Sequence, residues 1–337
     1  MYSITEKAAV NKRLVNIGFQ PGSGGAFWRR SVTDCIKPHI SKIFFNRLIF
    51  IILTVAFHIS CSSVSPVSAQ NSQHVSFSSI ETVAPRWHPV TSGINYINGR
   101  INSPQIEFHA LRIDLNAPNI QITVKGGGAD NSGNTLSAKV SSFVRDNNLI
   151  AGINALPFDV SSSFEGRPIK NIGIVVSSGR MISPASSRYD ALVFYKVSGD
   201  QSKRAAVVSQ SSITSIENIE NAVGGFYQIL ADGVPAKGTL NKHPRSAAGI
   251  SEDGRYLILI VIDGRRLGSA GATEMETAQI LLSLGSWNAI NFDGGGSSAL
   301  AMRSADGRVR VVNTPIHNGI PGQERAVAGC LGVRLLE

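Results

Sequence analysis

Between Tyr256 and Ile262 every side chain after the tyrosine is apolar, and four of the six are isoleucine or valine. An unbroken β-branched run of this length predicts a central strand buried on both faces. It ends at Asp263-Gly264-Arg265. Thr273-Glu-Met-Glu276 then has capping-box spacing, with Thr273 as N-cap. Met275, Ala278, Leu281, Leu282 and Leu284 follow at helical intervals until Gly285 ends the helix. Trp287 to Phe292 is a second short apolar strand. Strand, helix, strand in this order predicts a βαβ unit over 256–293, its two parallel strands finishing at one sheet edge. If those strands are direct neighbours they lie about 4.8 Å apart, bringing the Asp263 and Asp293 carboxylates close together where open α/β sheets bind ligands.

Elsewhere the periodicity is mostly that of strands. Gln105–Leu115 and Asn119–Val124 alternate apolar and polar residues around Asn116-Ala-Pro-Asn119, which predicts an antiparallel hairpin closed by Gly126-Gly127-Gly128. Leu136, Val140, Phe143 and Val144 share one helical face over 135–146, and Leu149–Ile153 is a short buried strand running into Asn154. Ala191–Val197 is a further strand, and Gly224-Gly225 before Phe226-Tyr227 marks a second loop near the predicted site. Ala299–Arg303 and Arg308–Val312 flank an Ala305-Asp-Gly307 turn, and Val327–Leu336 is a terminal strand. The fold class expected is therefore mixed α/β (α+β): central sheets, one βαβ unit over 256–293 and flanking antiparallel hairpins.

The first third of the chain reads differently. Residues 1–47 carry eight Lys or Arg against Glu6 and Asp34, and Leu48–Phe57 is a ten-residue apolar run. That is the layout of a signal segment, and the run is shorter than the roughly 20 residues of a membrane span. Val67-Ser-Ala69 before Gln70 fits signal-peptidase cleavage. His58-Ile-Ser-Cys61 fits a lipoprotein box in which Cys61 is lipidated, apart from the histidine where an aliphatic residue is usual. On either reading the chain is expected to be exported, to the periplasm or outside the cell, with a membrane attachment only through the signal or a lipid on Cys61. Residues 1–69 are the targeting segment and the Ser-, Val- and Pro-rich stretch 70–93 a surface linker. A single domain then occupies 94–337. Without its eight basic and two acidic leader residues the chain's formal charge falls from +9 to +3, which removes the main support for a nucleic-acid partner. Cys330 becomes the only thiol outside the leader, excluding a disulfide framework or a cysteine zinc site there.

The candidate chemistry concentrates in Asn291-Phe-Asp-Gly-Gly-Gly-Ser-Ser298. An acid at a strand end followed by Gly294, Gly295 and Gly296 suggests exposed backbone N–H groups around an anion-sized concavity, with Ser297 adding a hydroxyl donor. Asp263 and Asp293 could share a proton, hold a divalent cation such as Ca²⁺ or Mg²⁺, or divide acid and base work. Both could equally cap the turns that follow them. Ser297 has no Gly-x-Ser-x-Gly elbow and no histidine partner in the sequence, so a serine nucleophile is not the expectation.

Asn154-x3-Phe158, Pro244-Arg-Ser246, Asp263-Gly-Arg265, Gly271-Ala-Thr-Glu274, the 291–297 loop and Val312-Asn313 with Glu324-Arg-Ala-Val327 form an ordered set that resembles the phosphodiester glycosidase family. The resemblance covers residues 95–336 and is densest after Pro244. It implies hydrolysis of a sugar-1-phosphodiester at the anomeric carbon, releasing a sugar such as N-acetylglucosamine from a cell-surface or extracellular polymer. Asp293 and Asp263 would be the catalytic carboxylates. Arg245, Arg265, Arg325, Asn154, Glu274, Glu324, Gly294 to Gly296 and Ser297 would bind substrate. The competing function class is a non-catalytic glycan-binding module that keeps the cleft for recognition. Ala155-Leu156-Pro157 departs from the small glycines usual in this family and is expected to narrow the loop and alter sugar specificity.

Overall fold

The computed structural model describes residues 86–126, 134–159, 164–196 and 204–336. The targeting segment with Cys61, most of the linker and Gly127-Gly128 lie outside the described residues. Among the described residues there are three large antiparallel sheets, two two-stranded ones and two α-helices, so the fold is mainly β rather than α+β. The largest sheet runs His88–Thr91, Ile94–Asn102, Gln105–Asp114, Tyr256–Ile262, Arg245–Ile250, Asn288–Asn291, Gln228–Ala231, Val234–Pro235. The second has Asp190–Tyr195 and Ile219–Gly224 at its centre. The third runs Val309–Val311, Leu300–Arg303, Ala151–Asn154, Cys330–Leu335, Ile120–Val124.

The predicted central strand is present, and its two-residue side-chain period explains its composition. Leu257, Leu259 and Val261 face a core shared by all three sheets, with Leu111, Leu192, Phe194, Ile153 and Leu331. Ile258, Ile260 and Ile262 face the opposite way, onto Ala278, Leu281 and Leu284 beside helix Glu274–Ser283. All six are buried to within 1 %, and each contributes about 1.5–3 kcal/mol relative to exposure. The helix is held at its start by the capping box that the sequence predicts: Glu276 N–H donates to Thr273 Oγ1 at 3.1 Å and Thr273 N–H to the Glu276 carboxylate at 2.8 Å.

The βαβ expectation needs correction. Strand Arg245–Ile250 lies between Tyr256–Ile262 and Asn288–Asn291 and pairs antiparallel with both. The outer two are therefore parallel to each other but about 10 Å apart, twice the ordinary spacing, and their ends do not bring two carboxylates side by side. Three further elements differ. Gln105–Asp114 has both edges filled, by Ile94–Asn102 and Tyr256–Ile262, so Ile120–Val124 crosses to the third sheet instead of closing a hairpin. Asn134–Leu136 pairs with Pro168–Lys170, so the helix begins only at Val140 and Leu136 is half exposed. Strand His88–Thr91 occupies part of the expected linker.

Candidate active site

The glycine loop follows strand Asn288–Asn291 at the end of the large sheet, where the start of Arg245–Ile250 and the end of Ala151–Asn154 converge. Asn154 is the tie between them. Wholly buried, it donates from Nδ2 to the Asp293 carbonyl at 2.6 Å, and its Oδ1 accepts from Ser246 Oγ at 2.7 Å and from Ala299 N–H at 3.1 Å. Asp293 N–H donates in turn to the Ala155 carbonyl at 2.7 Å. Asn154 thus fixes the backbone that carries Asp293, with both its side-chain polar atoms engaged inside the protein.

The Asp293 carboxyl is pushed up to about 6 by burial, against hydrogen bonds from Ser297 and the Gly294 N–H and the attraction of Arg325. An acid with that value exchanges a proton near neutrality, as general acid–base chemistry requires. Ser297 Oγ, itself buried, accepts from Arg325 Nη1 at 3.1 Å, so Arg325, Ser297 and Asp293 form one chain of contacts. The Arg325 guanidinium lies 4.7 Å over the Phe158 ring. The loop's N–H groups are largely committed inward, since Gly294 donates to Asp293 and Gly295 to the Pro244 carbonyl at 2.8 Å. The glycines serve close approach instead. A Cβ on Gly294 would meet the Pro244 carbonyl oxygen at 2.8 Å and one on Gly296 would meet His317 Nδ1 at 3.3 Å, while Gly295 has φ +62°.

Beside Gly294 and Gly295 opens a cavity of about 380 Å³. One wall is aromatic: Tyr189, Phe226 and Tyr227, with ring centroids 5.4–6.4 Å apart. The facing wall holds His243, Arg245, Arg265 and Glu274, and Asn291 also lines the cavity. Arg265 is exposed, has φ +57°, and its Nη2 lies 3.4 Å from His243 Nδ1. Burial and the neighbouring Arg245 and Arg265 lower the His243 pKa, keeping its ring neutral. Among the described residues neither Arg265 nor Arg325 makes an ion pair, whereas Arg245 is spent on its surroundings. Buried, Arg245 donates from Nε to the Ala272 carbonyl at 2.9 Å and from Nη2 to Asn241 at 3.0 Å, and its Nη1 lies 3.5 Å from Glu274. Glu274 also accepts from Thr239 N–H at 3.0 Å.

Two predicted residues stand apart from this cluster. Asp263 is buried and its carboxylate is saturated: Oδ2 accepts from Arg266 at 2.7 Å, Oδ1 from Asn313 Nδ2 at 3.2 Å and from Thr314 N–H at 2.9 Å. Asn313 also donates to the Ser298 carbonyl, so Asp263 braces the glycine loop from behind. Glu324 binds Ser141 N–H at 2.9 Å and Ser141 Oγ at 2.6 Å, at the start of helix Val140–Asp146, whose N-cap Lys139 has no side-chain cap. Burial raises its pKa.

Glu107, His109 and Asp263 place ligand atoms within 4.8 Å of one another, but Arg266 Nη2 sits 2.8 Å from Glu107 and 2.7 Å from Asp263. The positive charge there is the protein's own, and the set does not fit a hard divalent cation seeking free carboxylate oxygens. Leu156 does not narrow the site either. It is buried in the shared core, and a Cβ on Gly329 would meet its Cδ2 at 1.6 Å, so Gly329 makes the room for it. Tyr189, His243 and His317 carried no sequence signal beyond proximity to a motif, while Phe226-Tyr227 lie on the loop marked by Gly224-Gly225.

A sequence model described as phosphodiester glycosidase matches residues 147–334, more than half of the chain. Over 92 residues the chain is 41 % identical to the SPbeta prophage-derived uncharacterized protein YomE of Bacillus subtilis, a match covering 27 % of this chain and 13 % of that protein. The catalytic domain of zebrafish N-acetylglucosamine-1-phosphodiester alpha-N-acetylglucosaminidase, auto-inhibited by its pro-peptide, superposes with a TM-score of 0.55 at 18 % identity, covering 73 % of this chain and 85 % of that one. A hypothetical protein from Synechocystis gives 0.51 at 17 % identity, covering 74 % of this chain and 64 % of that one. At these identities the two structures establish a shared fold.

Proposed function

Because the chain belongs to the phosphodiester glycosidase family, we propose that it hydrolyses a sugar-1-phosphodiester at the anomeric carbon, with Asp293 as the group that exchanges the proton. The observation that carries this reading is the Asp293 carboxyl held at about 6 near Arg325, at the start of the glycine loop whose Gly294 and Gly295 line the aromatic-walled cavity. The faces of Tyr189, Phe226 and Tyr227 suit the apolar C–H faces of a sugar ring, and Glu274 and Asn291 offer oxygens to its hydroxyls or to an acetamido N–H. Ionised Asp293 takes a proton from water as that water bonds to the anomeric carbon. The C1–O bond breaks with its electron pair going to the phosphate oxygen. The products are a free sugar and a phosphomonoester. Phosphate leaves readily as an anion, so a second carboxylate to protonate it is not required, which agrees with Asp263 being fully engaged elsewhere. Arg325, near the loop and without a carboxylate partner within ion-pair distance among the described residues, offsets the charge of the diester. With the basic and apolar leader of residues 1–69, the substrate class we favour is a glycosyl phosphodiester of a cell-surface or extracellular polymer, met after export.

The test is sugar release by the purified protein from UDP-N-acetylglucosamine and a panel of glycosyl-1-phosphodiesters, beside Asp293→Asn, in ¹⁸O-water. Label in the sugar, with turnover lost in the folded variant, is the expected result. Label in the phosphate would mean P–O cleavage and would refute the assignment. Saturable binding of panel members without turnover would favour a binding module.

A further inference from the structure

Nine buried side-chain polar atoms among the described residues have no hydrogen-bond partner within the protein, and five belong to Asn291, Ser298, His317, Gln323 and Arg325. Buried polar groups are ordinarily satisfied, so a concentration around one loop points to a ligand. Asn291 faces the cavity; Ser298, His317 and Arg325 do not line it.

We infer that Arg325, His317 and Ser298 form the subsite for the phosphoryl group of the substrate, at the Gly296 end of the glycine loop, leaving the Tyr189–Tyr227 cavity to the sugar. The inference rests on the glycosidase reading and assigns the two ends of the diester to two places. Arg325 offers Nε and has no carboxylate partner. Its Nη1 donates to Ser297 Oγ, and its guanidinium is steadied on Phe158. His317 Nε2 is unpartnered in a side chain 8 % exposed, and the Ser298 hydroxyl in one 1 % exposed. The His317 ring can approach because residue 296 has no side chain: a Cβ there would stand 3.3 Å from Nδ1. The strand Ile316–His317 pairs with Ile320–Pro321 across a turn whose Asn318 and Gly319 both have positive φ, which fixes the ring against the loop. Burial and the neighbouring Arg325 keep His317 neutral, so one ring nitrogen carries a proton to donate.

Arginine Nε–H, a serine hydroxyl and an imidazole N–H are all donors, a set that matches phosphoryl oxygens and gives a neutral sugar ring little to stack on. Asp293, Gly294, Gly295, Gly296 and Arg325 keep partial exposure, so the subsite opens to solvent along the loop. Asp293 begins the loop that runs from the cavity beside Gly294 and Gly295 to the Gly296 end that meets His317.

The test uses inorganic phosphate and the full chain, by calorimetric titration with a check of the native near-ultraviolet circular dichroism. Saturable binding is expected in the parent, weakened at least about tenfold in Arg325→Met and several-fold in Ser298→Ala and His317→Gln, as expected for losing hydrogen bonds to a charged group. Arg265→Gln should bind as the parent does. No saturable binding to the parent, unchanged binding in folded Ser298→Ala and Arg325→Met, or loss in Arg265→Gln alone would overturn the assignment. The readout needs no turnover. Phosphate binding lost in Arg325→Met with no sugar release from any substrate keeps the subsite and removes the glycosidase reading; sugar release with phosphate binding intact in Arg325→Met does the reverse.

Discussion

Replacing Asp293 by asparagine should make the protein more stable while removing its activity, and the gain should depend on pH. In the folded chain this carboxyl titrates at about 6 rather than its ordinary 3.8. At 1.36 kcal/mol for each pH unit between those values, holding the ionised form in place costs the folded state about 3 kcal/mol. The carboxyl keeps some exposure, and solvent screening brings the expected figure to about 2 kcal/mol. The sign follows from proton counting. Between pH 3.8 and about 6 the folded state holds more of this proton than the unfolded state, so parent stability falls as pH rises through that window. Asparagine keeps an oxygen that can accept from Ser297 and Gly294 N–H and has no charge to bury. Urea unfolding at pH 4 and pH 8 measures the difference: the two proteins should be close at pH 4, and the variant more stable by about 2 kcal/mol at pH 8. A gap that stays constant with pH, or a variant less stable at pH 8, would show that Asp293 is not held against its ionisation. The rate should fall by about 10²–10⁴ if this carboxylate is the base.

Three other expectations are independent of that measurement. With Asp293 as base, kcat/KM should rise with pH to a plateau above about 6, and a flat profile from pH 4.5 to 8 would exclude the role. Asp263→Ala leaves Arg266 with Glu107 as its one carboxylate partner and takes away the acceptor of Thr314 N–H and one of the two acceptors of the Asn313 amide behind the glycine loop, and should cost about 3–5 kcal/mol in denaturant unfolding, as breaking a buried pair does. Tyr227→Ala should raise KM for sugar phosphodiesters with kcat less affected, since the ring is offered as a binding surface, and unchanged kinetics would remove the aromatic wall from the sugar site.

How far the sequence could be read depended on whether the deciding interaction was local. The Tyr256–Ile262 run and the Thr273–Glu276 capping box are set by neighbours within a few residues, and both are found as expected. The hairpin expected between Gln105–Leu115 and Asn119–Val124 is absent because the edges of the first strand are taken by Ile94–Asn102 and Tyr256–Ile262, the latter some 150 residues away, and alternation within a strand does not report that. The same limit applies to Asp263. Its position at a strand end resembles that of Asp293, but one carboxyl is filled by Arg266, Asn313 and Thr314 and the other faces Ser297 and Arg325. Leu156 was misleading for a related reason: its bulk is absorbed by Gly329, a residue 173 positions later in the chain. Asn154 was legible as a polar residue ending an apolar strand, and only the assembled sheets reveal that its amide ties Asp293, Ser246 and Ala299 together.

The strand Cys330–Leu335 lies between Ala151–Asn154 and Ile120–Val124 in the third sheet. During synthesis Ala151–Asn154 therefore waits for roughly 180 residues, and Ile120–Val124 for roughly 210, before the strand that lies between them exists. Loop closure over such a separation must precede any stabilising contact, so this sheet is expected to form late and slowly. Ala151–Asn154 carries Asn154, which anchors Asp293. The glycine loop is consequently among the last parts of the domain to become ordered, and a nascent chain lacking Cys330–Leu335 would hold every acid and arginine of the candidate site without yet having the site.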